Sequence, residues 1–181
     1  EAGILGGRQN LIYQTGILSS IAGGFSNQIS HGESFIGGGE SNAITGIGNF
    51  SAQYSVVGGG ISNTIEANTD NANSASIAGG ESNLITSSDH SFIGGGLTNV
   101  DSSSYGMIGG GDSNMIVFGA PYSTIGGGHL NYIQGPYSVI AGGDSNRINS
   151  IEADHNFIGG GLGNVEDNPS FGAIAGGWEN Y

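Results

Sequence analysis

Isoleucine recurs in two fixed columns along this chain, and most positions between them are small or polar. The unit reads I-[GA]-G-G-x-x-N-x-I and is complete at Ile36-Gly37-Gly38-Gly39-Glu40-Ser41-Asn42-Ala43-Ile44. Six residues before each fixed Asn stand Ile4, Ile21, Ile36, Val57, Ile77, Ile93, Ile108, Ile125, Ile140, Ile158 and Ile174. Two residues after it stand Ile12, Ile29, Ile44, Ile65, Ile85, Ile116, Ile133 and Ile148. This second column fails at Asp101 and Glu166, where Val100 and Val165 come one residue early. β-branched residues at fixed positions predict strands, because a branched Cβ suits a pleated surface. Helix is excluded: no window has a 3.6-residue period, and each interior Gly would cost a helix about 1 kcal/mol.

The Asn markers are Asn10, Asn27, Asn42, Asn63, Asn83, Asn99, Asn114, Asn131, Asn146, Asn164 and Asn180, spaced 15 to 21 residues apart. A period of this size predicts an all-β parallel β-solenoid, or β-roll, of about eleven coils of 15–21 residues. Each coil is expected to hold two short strands and two corners, with glycine at the tight corner because it reaches positive φ freely. Coils pairing in parallel at roughly 4.8 Å would build a rod on the order of 50 Å long. The Asn column is expected to stack as a structural ladder, each amide satisfying corner groups of the next coil.

Ser34, Ser55, Ser91, Ser123 and Ser138 precede the first column by two positions, so a coil buries little besides its isoleucines. Ordering the backbone costs entropy at every residue, and two aliphatic side chains per coil offset little of it. A homo-oligomer would supply further burial. Phe35, Val56, Phe92, Met107, Val139 and Phe157 stand directly before the first column and by alternation face away from it. They are the expected oligomer interface.

The net charge of −13, with Arg8 and Arg147 as the only basic side chains, argues against nucleic acid and anionic membrane surfaces as partners. No apolar run predicts membrane insertion by this segment. Without cysteine there is no disulfide framework and no thiolate site. His31, His90, His129 and His155 show no metal spacing and read as occupying unrelated registers, apart from His129 in the corner after the glycines. No G-x-S-x-G occurs. The expectation is therefore a non-enzymatic chain with no catalytic residue, metal site or cofactor. A calcium-loaded roll would need Asp at every corner, and the position after the glycines is Asp only at Asp112 and Asp144. One isolated calcium site near Asp70 or Asp154 stays open.

The run Y-S-x-I-G-G-G-x-x-N-x-I resembles the head repeats of trimeric autotransporter adhesins, the YadA-like head. It is legible at Tyr122-Ser123-Thr124-Ile125-Gly126-Gly127-Gly128 and at Tyr137-Ser138-Val139-Ile140-Ala141-Gly142-Gly143, and the likeness covers essentially the whole chain. Similar repeats occur in bacterial and phage fibre tips. The resemblance implies a left-handed β-roll with three chains packed about a common axis, displayed outside the cell on an outer membrane or a fibre. It also implies a single head domain over residues 1–181, read as a segment of a longer fibre because both ends fall inside a repeat. The insertions depart from the family pattern, and the stalk and anchor of a full adhesin do not appear in these residues.

Function would sit where the repeat breaks. From Asn to the next first-column residue the shortest coils take nine residues, whereas 42→57 takes 15 and 63→77 takes 14. Residues 45–53 and 66–75 are therefore expected to protrude as adjacent loops, with a smaller bulge at 149–156. Asn49, Phe50, Gln53, Glu66, Asn68, Asp70, Asn71 and Asn73 are the candidate ligand-binding residues. A second candidate is the variable corner, where Phe25, Ile61, Leu97, Leu162 and Trp178 either form an exposed apolar stripe or, as favoured, pack between protomers. The expected function is an adhesin head or fibre tip that holds a cell-surface glycan or protein by trimeric multivalency. The alternatives are a structural spacer of a fibre and, with weaker support, an ice-binding solenoid using the interrupted Ser row.

Overall fold

The protein is described here from a computed structural model covering residues 1–149, 155–167 and 170–181. These residues contain 21 short strands and no helix. The strands alternate between two parallel sheets, one of 11 strands from Gly3–Ile4 to Ala173–Ile174 and one of 10 from Leu11–Ile12 to Val165–Glu166. The chain is thus a parallel β-solenoid in which each isoleucine lies on its counterpart one coil away. Ile21 pairs with Ile36 in the first sheet and Ile29 with Ile44 in the second. Ile21, Ile29, Ile36, Ile44 and the column isoleucines that follow as far as Ile158 are fully buried and form a single core, with Ile12 and Ile174 partly buried at its ends.

The coil has one ladder more than two strands and two corners would provide. The residue after the glycines also bridges in parallel to its counterpart, from Arg8–Phe25 down to Leu162–Trp178. The glycine before it allows this close approach. A Cβ on Gly39, whose φ is +86°, would lie 2.1 Å from the Gly60 carbonyl oxygen of the next coil.

Glycine does not supply every left-handed corner. The residue before each Asn, for example Ser41 at φ 57°, and the residue three before the first column, for example Tyr105 at φ 62°, also adopt positive φ. Stacking against equivalent residues holds these corners despite the steric cost to a side chain.

Val100 and Val165 do not take over the core positions next to them. Asp101 pairs with Ile85 and Ile116, and Glu166 pairs with Ile148, so both acids point into the core column. A slip of one residue would have turned the whole strand inside out, and the ladders on either side of Asp101 fix its register.

Candidate functional site

The Asn column forms a continuous buried ladder. Asn27 Nδ2 lies 3.0–3.1 Å from Asn10 Oδ1, the Gly23 carbonyl and the Gly39 carbonyl. Its own Oδ1 accepts both the backbone N–H and the side-chain amide of Asn42, at 3.0 and 3.1 Å. The arrangement recurs down to Asn180, and Asn27, Asn42, Asn63, Asn83, Asn99, Asn114, Asn131, Asn146 and Asn164 are fully buried. Every amide is engaged in joining coils.

Ser34, Ser55, Ser91, Ser123 and Ser138 are also internal, at most 3 % exposed. Ser34 Oγ accepts the Ser55 N–H and donates to the Ala52 carbonyl. This row presents no surface, which removes it as an ice-binding face.

The two insertions widen their coils and do not hang free as protruding loops. Their first residues lengthen the second-sheet strands to Ala43–Gly46 and Thr64–Ala67, with Thr45 opposite Glu66 and Gly46 opposite Ala67. Ala52, Ala67, Ala72 and Ala75 then extend the isoleucine core into the widened coils, at most 1 % exposed. Because the insertions are of similar length, one lies on the other. Asn71 Oδ1 accepts the Ser51 N–H and Asn73 Oδ1 accepts the Gln53 N–H, both at 2.9 Å. Asn68 donates its backbone N–H to Ser87 Oγ. Of the eight candidate residues, Asn49, Phe50, Gln53 and Asp70 are exposed, while Glu66, Asn68, Asn71 and Asn73 are half-buried in the stacked wall. Most of the bulge at 149–156 lies outside the described residues.

Asp70, at the rim of the widened coil, lines an open groove of about 190 Å³ with Ser87, Ser102, Ser103, Ser104, Phe118, Gly119 and Pro121. Phe118 is 72 % exposed. The groove thus combines a carboxylate, a row of serines and an aromatic wall. Sequence reading missed all of these but Asp70, because they belong to coils of ordinary length.

Two rows carry partly exposed apolar side chains along the outside, the first broken by Ser76 and Thr124 and the second by acidic residues. Phe35, Val56, Phe92, Met107 and Phe157 are 37–42 % exposed, and Val139 is half-buried. In the third ladder Phe25, Ile61, Leu97 and Leu162 are 39–46 % exposed, alternating with Glu40, Glu81, Asp112 and Asp144. Alternation places acids two coils, roughly 9.6 Å, apart, so screening by physiological salt weakens their repulsion. His129 stands between Asp112 and Asp144, and its Nδ1 lies 3.2 Å from Asp144 Oδ1. Hydrogen bonds from Ser145 and then His129 hold the Asp144 carboxyl below its usual range.

A third exposed row is aromatic. His90, Tyr105, Tyr122, Tyr137, His155 and Phe171 stack ring on ring, with centroids 4.6–5.2 Å apart and planes within 14° of parallel. All six stand three residues before the first column, so His90 and His155 share a register, contrary to the sequence reading. Their shared spacing from the isoleucines was the signal that could have found this row. Further along the column Tyr54 is 58 % exposed, and its hydrogen bond with Glu33 raises the phenol above its usual range. Ring faces in the stack cover one another and leave mainly edges to solvent.

Asp101 is fully buried; its Oδ1 accepts the Ser103 N–H at 3.1 Å and its Oδ2 has no partner among the described residues. Burial pushes this carboxyl up to about 8, against the lowering effect of the Ser103 bond. Burial also raises Glu166. No group of three or more His, Asp or Glu side chains among the described residues could hold a metal ion. No helix among them is long and apolar enough to cross a membrane.

No protein-family model matches the chain, and no curated protein is significantly similar to it.

Proposed function

We propose that this solenoid is a ligand-binding head or fibre-tip module, working outside the cell as a homotrimer. It acts by binding, with the groove between Asp70 and Phe118 as the contact site on each chain. The observation that carries this reading is the pair of widened coils, which bring Asp70 to the rim of a groove walled by exposed Phe118. A sugar ring suits such a groove. Its C–H face packs on an aromatic ring, and its hydroxyls bond to a carboxylate and serines. The apolar row of Phe35, Val56, Phe92, Met107 and Phe157 supports the trimer, because association would cover side chains that one chain leaves in water. Three copies of a weak site on a stiff rod convert modest contacts into avidity.

A glycan and extracellular-matrix array, read with the unaltered chain and with Asp70→Ala and Phe118→Ala, tests the proposal. The expected result is binding that falls at least tenfold in each variant. Undiminished binding in both would remove the groove from the account. Failure of the unaltered trimer to bind any surface ligand would favour the spacer reading, which the regular Asn ladder also suits.

A further inference from the structure

The aromatic stack contains three consecutive tyrosines, and their placement favours covalent chemistry over face-on ligand binding. Tyr105 and Tyr122 have ring centroids 4.6 Å apart at an interplanar angle of 10°, and Tyr122 and Tyr137 are 5.1 Å apart at 6°. Each is 46–49 % exposed, so a small oxidant reaches the phenol while a neighbour of the same kind lies one coil away. Their backbones are tied in register. The Tyr105 N–H donates to the Asp89 carbonyl, Tyr122 to Ser104 and Tyr137 to Pro121. His90 caps the tyrosine run at one end and His155 at the other. Imidazole and phenyl rings lose an electron less readily than phenol, which keeps a radical within the three tyrosines. The chain has no cysteine, and its two basic residues are both arginine, so neither disulfide nor lysine-based cross-links can join its coils.

We propose that Tyr105, Tyr122 and Tyr137 form an oxidative cross-linking site, at which a peroxidase-type oxidant joins neighbouring phenols as dityrosine. Each of two adjacent phenols loses one electron and one proton to give a phenoxyl radical. The radicals combine through the ring carbons ortho to oxygen, forming one carbon–carbon bond. The hydrogens displaced from those carbons move to the phenol oxygens and restore both aromatic rings. Two electrons and two protons leave the protein, and one hydrogen peroxide takes them up to become two waters. Tyr122, with a tyrosine on either side, is the shared partner in both possible couplings. The bond would lock consecutive coils of one chain, restricting its unfolded state as a disulfide does.

The test treats dilute folded protein with a peroxidase and one equivalent of hydrogen peroxide. Readouts are intact mass, dityrosine fluorescence and tandem mass spectrometry after cleavage at acidic residues. The expected product migrates as a single chain on denaturing electrophoresis, has lost two hydrogens per coupling, and is linked at Tyr105–Tyr122 or Tyr122–Tyr137. Tyr122→Phe keeps a ring in the stack but leaves the other two tyrosines two coils apart, so coupling should fall at least tenfold. Tyr105→Phe should leave only the Tyr122–Tyr137 product, and Tyr132→Phe should change nothing. Undiminished coupling in Tyr122→Phe, or links found mainly at Tyr13, Tyr54, Tyr132 or Tyr181, would overturn the assignment. So would an absence of dityrosine from the unaltered folded chain.

Discussion

Asp101 occupies the space that Gly106 leaves empty: a Cβ on Gly106 would lie 2.3 Å from Asp101 Oδ2. Glu166 and Gly172 repeat the relationship, with a Cβ 2.4 Å from Glu166 Oε2. In these two coils an acid replaces isoleucine in the second column, and glycine replaces the larger residue, usually serine, of the inner row. The exchange conserves packing but buries a carboxyl group.

That carboxyl makes stability depend on pH. Asp101 is raised from 3.8 to about 8 in the folded chain, so the folded state holds a proton that the unfolded state releases. Its contribution is complete below about pH 4 and is lost as pH rises through about 8. Urea unfolding across this window should show stability falling toward alkaline pH, with Glu166 adding in the same direction. Asp101→Asn should flatten most of the slope. An unchanged slope in that variant would show that Asp101 is ionised in the fold.

The Asn ladder should be costly to interrupt in its middle and cheap at its end. Asn99 Oδ1 accepts the backbone N–H and the side-chain amide of Asn114, both at 3.0 Å, in a fully buried setting. Asn99→Ala leaves the Asn114 backbone N–H without its acceptor and takes a donor from the Gly95 and Gly111 carbonyls, and should cost about 2–4 kcal/mol. Asn180 is exposed, and Asn180→Ala should cost under about 1 kcal/mol. Chemical denaturation of the two variants checks the contrast.

The widened coils should tolerate joint removal better than single removal. Cutting only the six extra residues from 45–53 uncovers Ala72 and leaves the Asn71 and Asn73 acceptors without their donors. Cutting the five extra residues from 66–75 as well restores coils of matching length. The thermal midpoint should fall in the single deletion and recover in the double one. A double deletion less stable than the single would show that the insertions support the rest of the rod.

The columns of isoleucine, glycine and asparagine were legible because each residue type has one physical use at its position. Ile36 and Ile44 need a pleated surface, Gly39 needs close approach, and Asn42 must satisfy a corner. The Tyr105–Tyr122–Tyr137 stack was legible only as a shared spacing from the isoleucines, because tyrosine itself carries no signal for the positive φ that lines up the rings. Asp101 resembled a one-residue slip toward Val100 until its pairing with Ile85 and Ile116 fixed the register. The widened coils were visible as spacing, but their inward alanines and mutual hydrogen bonds depend on two insertions lying on one another. The groove brings Asp70 together with Phe118, two residues 48 positions apart in the sequence and on different coils.

Trimer formation is the claim on which the multivalent reading depends, and sedimentation equilibrium measures it directly. The expected species has three times the 18.1 kDa chain mass and is reduced to single chains by Phe92→Glu with Met107→Glu in the apolar row. A folded species of 18.1 kDa that persists at high protein concentration would contradict trimer formation.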